Sequence, residues 1–314
     1  MTVDRLSTRV YGAPQDLDAV LDLTERHATQ GWGRAYCACA DLRELLSLPP
    51  VAANTQLWFD ASGRLRGCAL VDHYHNLCFV LDPAIRGLEV ERQVVARGDE
   101  CVRRDATPDE TVTLNASADE DDLDRILFLR RHNFSPLPER SLHLVRRLDL
   151  PIPGPSLPAG YRIRPVTGVD EVEALVALHR AAFGTEHMTV EERRAMMSGA
   201  DYDAALDLVV VAPDGSPAAY CLCQIDREEN RRTGRQDGYT DPVATHPAHR
   251  RLGLARSLLL AGMALLRDRG MRCARLGTSS ENLAMQRAAK SVGFAVESSR
   301  VWFARPVTAC AVGG

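Results

Sequence analysis

The chain carries the same order of apolar and turn segments twice, on either side of a proline-rich stretch. That stretch, DLPIPGPSLPAG at residues 149–160, holds four prolines and two glycines, which neither a helix interior nor a central strand accommodates. Matched landmarks keep a nearly constant separation, 164 residues from Arg86 to Arg250 and 160 residues from Phe134 to Phe294. Because order and spacing recur together, the sequence predicts an internal duplication with two tandem domains, residues 1–150 and 151–314.

Each half predicts an α/β domain of the mixed α+β kind, in which helices flank a central sheet that is mixed but mostly antiparallel. In the second half the predicted order is a strand at YRIRPVT, a helix at DEVEALVALHRAAF and a hairpin turning at PDGS. A charged loop, DREENRRTGRQDG, then precedes the strand YTDPVAT, a helix from about Leu254 to Arg269, the strand MRCARLGT, a helix closed by Gly293 and a last strand. The first half repeats this order.

Charge and hydropathy exclude several classes of partner. The net charge is −4 with a pI of about 6.2, which argues against a nucleic-acid or anionic-membrane surface. The first residues, MTVDRLSTRVYG, lack the apolar core of a signal peptide. The longest apolar run, SLLLAGMALL, falls far short of the roughly 18 residues that a membrane span needs. We therefore expect a cytoplasmic protein.

Nine cysteines raise the question of a metal or disulfide framework. They form two C-x-C pairs and no C-x-x-C pair, and Cys221 and Cys223 alternate along the predicted strand AAYCLCQI. Residues i and i+2 of a strand share a face, so the pattern favours two buried cysteines that act as small apolar side chains. We expect no metal and no disulfide.

The stretch THPAHRRLGLA combines the features of a phosphate-binding loop. It follows a strand and enters a helix at Gly253, where backbone amides point outward and a missing Cβ permits close approach of a ligand. Arg250 and Arg251 supply fixed positive charge for phosphate oxygens. Neither a Walker motif nor G-x-G-x-x-G is present. The alternative is a surface loop with an ordinary helix start.

Placed after a strand and before a helix, the R-x-x-G-x-A pattern from Arg250 to Ala255 resembles the pyrophosphate-binding signature of the GCN5-related N-acetyltransferases, the GNAT family. Two further landmarks accompany it, V-x-x-H-P beginning at Val243 and N-x-x-M beginning at Asn282, followed by Gly293 and Phe294. The resemblance covers residues 161–305 well and residues 8–148 more weakly, and tandem architectures occur in the family. It implies an acetyl-CoA-dependent N-acyltransferase.

The resemblance also implies roles for particular residues. Backbone groups of the strand before the loop would pair with the pantetheine arm of acetyl-CoA, and amides of the loop would face its pyrophosphate. Asn282 would contact the cofactor or, alternatively, only cap its helix. The implied cofactor-binding residues are Val243, Ala244, Thr245, Arg250, Arg251, Leu252, Gly253, Leu254, Ala255, Arg256 and Asn282.

The first half departs from this pattern. Aligning Arg86 with Arg250 places Glu89 at the Gly253 position and Glu91 at the Ala255 position. A carboxylate repels a pyrophosphate, and the missing glycine hinders close approach. We therefore expect the N-terminal domain not to bind acetyl-CoA in the usual way, and to brace the second domain and help to shape its substrate pocket instead. The alternative is a binding loop shifted along the sequence of the first half.

Acetyl transfer by direct attack needs a general base to deprotonate the amine. Asp241 and Tyr239 share one face of the strand YTDPVAT, and they are the candidate catalytic residues, with Asp241 as the base. Alternatively, Asp241 only contacts the substrate. The family's usual acid, a tyrosine seven residues after the asparagine, is replaced by Ala289. The thiolate then leaves unassisted, another tyrosine substitutes for the missing acid, or activity is lost.

Two functions follow from these residues. The first is an N-acetyltransferase acting on the primary amine of a small molecule, as a monomer or homodimer without nucleic-acid, membrane or metal partners. Its acceptor would resemble a mycothiol precursor or an aminoglycoside. The second is a non-catalytic acyl-CoA-binding sensor or scaffold, motivated by Ala289 and by the degenerate first half.

Overall fold

The computed structural model describes residues 6–29, 39–107, 111–186, 188–199 and 202–308. Its contacts divide the chain into two compact units, Met1–Arg140 with Ser299–Gly314 (unit 1) and Ser141–Ser298 (unit 2). The predicted domains follow the duplication in the sequence, whereas the compact units exchange the last strand of each half. Sequence repetition alone carries no signal for this exchange, because the pairing of a strand depends on contacts with distant segments.

Unit 1 begins with an antiparallel sheet in the order β1-β2-β3-β4. A further strand, β5 (Thr111–Asp119), pairs antiparallel with Arg300–Thr308 of the last strand of the chain, β13 (Ala295–Thr308). The elements are β1 (Ser7–Val10), α1 (Asp16–Thr29), α2 (Cys39–Ser47), α3 (Pro49–Ala53), β2 (Gln56–Phe59), β3 (Leu65–Val71), β4 (Leu77–Leu81), α4 (Leu88–Asp105), β5 (Thr111–Asp119), α5 (Leu123–Arg131) and β6 (Ser135–Arg147).

Unit 2 contains the antiparallel sheet β11-β9-β8-β7 and a second group of strands. In that group β10 runs parallel to β12, and β12 pairs antiparallel with Ser141–Arg147 of β6. The elements are β7 (Arg162–Pro165), α6 (Val172–Phe183), α7 (Val190–Met197), β8 (Asp207–Val211), β9 (Pro217–Leu222), α8 (Arg227–Thr233), β10 (Asp237–Tyr239), β11 (Val243–Thr245), α9 (Leu254–Asp268), β12 (Cys273–Ser279), α10 (Leu283–Ser291) and β13 (Ala295–Thr308).

The predicted fold class is confirmed, since mixed and mostly antiparallel strands are flanked by helices in both units. Two local predictions are wrong. The charged stretch predicted as a loop contains α8, which begins because the Asp226 carboxylate accepts from the Glu229 amide at 2.7 Å. The segment predicted as the single strand YTDPVAT is two strands with different neighbours, β10 and β11.

Helix α9 forms the centre of the core of unit 2. Leu258, Leu259, Met263 and Leu266 are fully buried along one side of it, against strands of both groups. The helix ends where Gly270 takes a φ of 82° and donates to Arg267 O at 2.8 Å, as predicted for a terminating glycine. This packing fixes the N-terminus of α9 at the edge of the sheet.

The predicted burial of the strand cysteines is confirmed. Cys221 and Cys223 are buried on one face of β9 and just beyond its end, with sulfurs 3.6 Å apart. Within the described ranges, His, Cys, Asp and Glu form no group of three or more that could hold a metal ion. In the same part of the chain, each helix is too short or too polar to cross a bilayer.

Substitution of Gly262 tests how tightly α9 packs on β9. A Cβ at this position would lie 2.5 Å from the Cys223 sulfur. We expect Gly262→Ala to lower the free energy of unfolding by about 1–3 kcal/mol through overpacking, despite the better helix propensity of alanine. Urea denaturation measures the change. The double variant Gly262→Ala/Cys223→Ala should recover most of the loss, and equal losses with and without Cys223 would contradict this packing.

Candidate active site

The main-chain segment from β10 to β11 changes its neighbour within a few residues. Residues 237–239 pair in parallel with residues 273–275 of β12, and the Thr240 amide still donates to Arg275 O at 2.9 Å. From Val243 onward the chain instead pairs antiparallel with β9. β11 and β12 therefore part, and an opening forms between them.

Asp241 lies where the two strands part. Its Oδ2 accepts from the Gly277 amide of β12 at 3.2 Å. A side-chain oxygen thus replaces the backbone carbonyl that would accept from Gly277 if the β10–β12 ladder continued. Ala274 and Leu276 point into the α9 core, so Gly277, the next residue of the strand, lies on the opposite face. A Cβ on Gly277 would lie 3.3 Å from the same carboxylate oxygen. The glycine thus leaves room for Asp241 at the closed end of the opening.

The pairing of β11 determines which backbone groups face the opening. The backbone amide of Leu222 donates to Pro242 O at 3.2 Å, and the backbone amide of His246 donates to Ala218 O at 2.9 Å. In an antiparallel ladder bonded positions alternate, so Ala244 is directed at β9 while Val243 and Thr245 are directed at the opening. The backbone of Ala244 is thus engaged in the sheet, and the pantetheine contacts of Val243, Ala244 and Thr245 stay a prediction.

The loop before α9 presents backbone amides without local acceptors. Gly253 begins the helix with a φ of 76°, and no side chain of the described residues caps it. The first amide of α9 with a hydrogen-bond partner at the start of the helix is that of Ser257, which donates to Gly253 O at 3.0 Å. The preceding amides, from Leu254 to Arg256, are the donors that every helix N-terminus leaves for an external acceptor. Together with the helix dipole, they form a site suited to an anion.

The predicted loop side chains have different partners. Arg250 donates from Nη2 to Ala182 O at 3.2 Å, next to the end of α6, whereas Arg251 is exposed with a φ of 67°. Leu252 is exposed and Leu254 is buried in the core. Asn282 caps α10, since its Oδ1 accepts from the Met285 amide at 3.1 Å. This capping role is the alternative to cofactor contact, and a cofactor contact by Asn282 stays a prediction.

Tyr239 lies on the side of the sheet that the sequence predicts, but its hydroxyl is bonded to helix α8. A Cβ on Gly238 would meet Leu266 of α9, so Tyr239 faces the other way, as Gly277 does. Its hydroxyl donates to Glu229 Oε2 of α8 at 2.7 Å. Burial, followed by this bond, raises the pKa of Tyr239 well above its usual range. Sequence reasoning misses this partner, because it predicts a loop where α8 lies.

A buried polar group underlies the sheet on the α6 and α7 side of unit 2. Asp207 is fully buried and pairs with the Arg193 guanidinium, and it also accepts from the Tyr202 hydroxyl at 2.8 Å. The His179 ring nitrogen Nδ1 lies 2.6 Å from the Tyr220 hydroxyl. Burial raises the pKa of Asp207 and Tyr220 and lowers that of His179. These contacts fix helices α6 and α7 against β8 and β9.

Sequence reasoning misses these residues for identifiable reasons. Arg193 and Asp207 lie 14 positions apart on a helix and on a strand, so their pairing has no local sequence signal. Gly277 does carry a local sequence signal, since a glycine inside a strand often marks a position where another part of the chain or a ligand comes close to the backbone. Ala289, at the position where the resemblance implies a tyrosine acid, is fully buried in α10.

The equivalent helix start in unit 1 carries its glutamates in local ion pairs. Glu89 accepts from Arg92 at 2.7 Å, and buried Glu91 accepts from Arg131 at 3.1 Å. Helix α4 begins at Gly87, whose φ of 172° is ordinary extended backbone. Two carboxylates thus occupy the first turn of α4, where the first turn of α9 has none.

With this geometry in view, comparison with known proteins identifies the class of protein. The model of the acetyltransferase (GNAT) family matches residues 172–294, which therefore belong to that family. The fold of the whole chain is that of tandem GNAT proteins. A GCN5-related N-acetyltransferase from Sphaerobacter thermophilus superposes with a TM-score of 0.75 at 20% identity, covering 98% of both chains. A tandem GNAT protein from the clavulanic acid biosynthesis pathway gives 0.72 at 18% identity, covering 98% of this chain and all of the other.

Curated relatives are more similar in sequence over a shorter stretch. Mycothiol acetyltransferase of Kineococcus radiotolerans is 33% identical over 155 residues, 48% of this chain and 48% of the relative. A second mycothiol acetyltransferase, from Thermobispora bispora, is 30% identical over 160 residues, 49% of this chain and 54% of the relative. The chain spans about half the length of the curated relatives it matches.

The buried Arg193–Asp207 pair predicts a pH-dependent loss of stability. We expect Arg193→Met to lower the free energy of unfolding by about 3–5 kcal/mol at neutral pH, because it leaves a buried carboxylate without its cation. Without Arg193 the pKa of Asp207 rises further, and a carboxyl with a raised folded pKa loses stability as pH rises toward that value. The deficit should therefore shrink toward acidic pH.

Chemical denaturation between acidic and neutral pH measures this deficit. Arg194→Met, on the exposed side of the same helix, is the matched control and should change stability little. A deficit of the same size at every pH would contradict the assignment to Asp207.

Proposed function

We propose that the C-terminal half transfers an acetyl group from acetyl-CoA to the primary amine of a small molecule. The observation that carries the proposal is the opening between β11 and β12, with the Asp241 carboxylate at its closed end and the amides of α9 at its mouth. Membership of residues 172–294 in the GNAT family supports acetyl-CoA as the donor. The sequence similarity to acetyltransferases supports acyl transfer as the reaction.

The residues of the opening fit the two ends of the donor. Val243 and Thr245 direct amide and carbonyl groups into it, matching the amide groups of a pantetheine arm. At the α9 N-terminus, a Cβ added to Gly253 would meet nothing within 4 Å, so a pyrophosphate has room to approach the main chain. The amides of Leu254, Ala255 and Arg256 supply the donors, and Arg251 supplies positive charge.

Asp241 is the proposed general base. The incoming ammonium gives a proton to its carboxylate, and the resulting neutral amine attacks the thioester carbonyl carbon. The carbonyl oxygen gains negative charge and accepts from the Val243 amide, since that group is directed at the opening. The C–S bond then breaks, the attacking nitrogen gives up its second proton to form the neutral amide, and that proton passes through solvent to the released thiolate. Ala289 is buried and the Tyr239 hydroxyl is bonded to Glu229, so we assign no side chain as the general acid. Tyr239 instead has a positioning role in the wall of the opening beside Asp241.

The face of the sheet that carries Tyr239 and Asp241, where we propose that the amine binds, has more acidic than basic side chains. Glu229 lies beside Tyr239, and Arg275 on the neighbouring strand is already paired with Asp237 at 2.5 Å and Glu297 at 2.6 Å. Together with Asp241, this charge balance favours a cationic amine. Similarity to mycothiol acetyltransferases supports testing a mycothiol-precursor-like amine before an aminoglycoside in a substrate screen.

Replacement of Asp241 distinguishes catalysis from binding. Asparagine keeps an oxygen to accept from the Gly277 amide, so Asp241→Asn should bind acetyl-CoA within about twofold of wild type. We expect kcat to fall about 100-fold or more, because the base is lost. Isothermal titration and thiol release with an amine panel measure the two quantities. Wild-type binding without turnover on any amine would instead favour an acyl-CoA-binding sensor, the second function predicted from the sequence.

A charge introduced at the loop tests the donor site. We expect Gly253→Glu to weaken acetyl-CoA binding by about 30-fold or more, because a carboxylate there repels the pyrophosphate and covers the amides. Gly270→Glu is the matched control. Gly270 has a similar φ, 82° against 76°, is equally open, and lies at the other end of the same helix. Equal effects of the two substitutions on binding would exclude the loop as the pyrophosphate site.

A further inference from the structure

Strands β4 and β5 of unit 1 part in the same way as β11 and β12. The Asn115 amide of β5 donates to His75 O at 2.8 Å just before β4 begins, and over their described residues the two strands share no register beyond the isolated bridge at Asn76 and Asn115. On the β4 side, the backbone amide of Asp82 donates to Arg66 O at 2.7 Å, so the backbone groups at the alternating positions 80 and 78 also face β3. The backbone of Phe79 is therefore directed away from β3, toward β5.

The same reasoning orients β5. The backbone amide of Glu120 donates to Ser299 O at 3.2 Å, so the backbone groups at the even-numbered positions of β5 bond to β13. The backbone of Ser117 is thus directed away from β13, toward β4. Phe79 O and Ser117 O consequently face an opening that corresponds to the one in unit 2.

An arginine occupies this opening. Arg125 of α5 donates from Nε to Ser117 O at 2.7 Å and from Nη1 to Phe79 O at 3.1 Å. Its guanidinium carbon lies 3.9 Å from the centre of the Phe79 ring. The residue is only 8% exposed. One side chain thus joins the two parted strands with charge-assisted hydrogen bonds and a cation–π contact.

The duplication identifies the counterpart of Arg125 in unit 2. Asp122 and Asn282 cap α5 and α10 in the same way, each accepting from the amide three residues later, at 3.0 and 3.1 Å. That later residue is Arg125 in unit 1 and Met285 in unit 2. By the two landmark separations, Phe79 corresponds to Val243 and Ser117 to Gly277.

We propose that Arg125 closes the N-terminal opening to the pantetheine arm, and that Met285 is the residue that leaves the C-terminal opening accessible. Displacing Arg125 would leave a buried guanidinium and two carbonyl oxygens without partners, a larger loss than a pantetheine amide can replace. The chain then binds one acetyl-CoA, and the closed opening acts together with Glu89 and Glu91 in excluding it from unit 1. This inference rests on the proposed acetyl-CoA site of unit 2.

Transferring the arginine to unit 2 tests the closure. We expect Met285→Arg to weaken acetyl-CoA binding by about 10-fold to 30-fold, the loss of one or two backbone hydrogen bonds to the pantetheine arm. Met285→Leu is the control and should bind like wild type, with circular dichroism confirming that both variants fold. Met285→Arg binding as tightly as Met285→Leu would overturn the proposal. Failure of wild type to bind would instead overturn the proposed function.

A second measurement tests the closure without any ligand. With Arg125→Met, water should reach the opening of unit 1, and hydrogen exchange at the amides of Phe79 and Ser117 should quicken by about tenfold or more. Arg130→Met, on the exposed side of the same helix, is the matched control. Equal exchange at these two amides in both variants would overturn the role of Arg125, whether or not acetyl-CoA binds to unit 2.

Discussion

Two neighbouring strands that part leave backbone donors and acceptors without ladder partners, and buried backbone groups must be satisfied. The two units meet this constraint in different ways. In unit 1 the Arg125 guanidinium joins the parted strands β4 and β5 through two carbonyl oxygens. In unit 2 the Asp241 carboxylate accepts from the Gly277 amide, and the groups beyond it are directed into an opening. A gap filled by the chain's own arginine is structural, whereas a gap left open is suited to a ligand with amide groups of its own.

The rest of unit 2 supports this opening. The apolar face of α9 holds its N-terminus at the edge of the sheet, so amides without local acceptors meet the end of the opening. The buried Arg193–Asp207 pair ties α7 to β8 on the other face, where the acceptor would enter. Apolar packing thus holds the start of α9 in place, and a buried ion pair holds α7 against the sheet.

Much of this arrangement is readable from the sequence, because its signals are local. The duplication, the glycine-led helix α9 and the terminating Gly270 follow from spacing and backbone preference. Other features depend on contacts between distant segments, and no local pattern reports them. The bond from Tyr239 to Glu229 requires α8, whose acidic and basic residues predict a loop. The direction of Ala244 depends on a strand register, and the role of Arg125 depends on the parting of two strands.

The most direct test of the account is a titration of isotope-labelled protein with acetyl-CoA, followed by amide chemical shifts. The account predicts that the largest shifts fall at Val243, at Thr245 and in the first turn of α9, while Phe79 and Ser117 stay unchanged. Shifts concentrated at Phe79, Ser117 and the first turn of α4 would contradict it, because they would place the donor in the half that Arg125 is proposed to close.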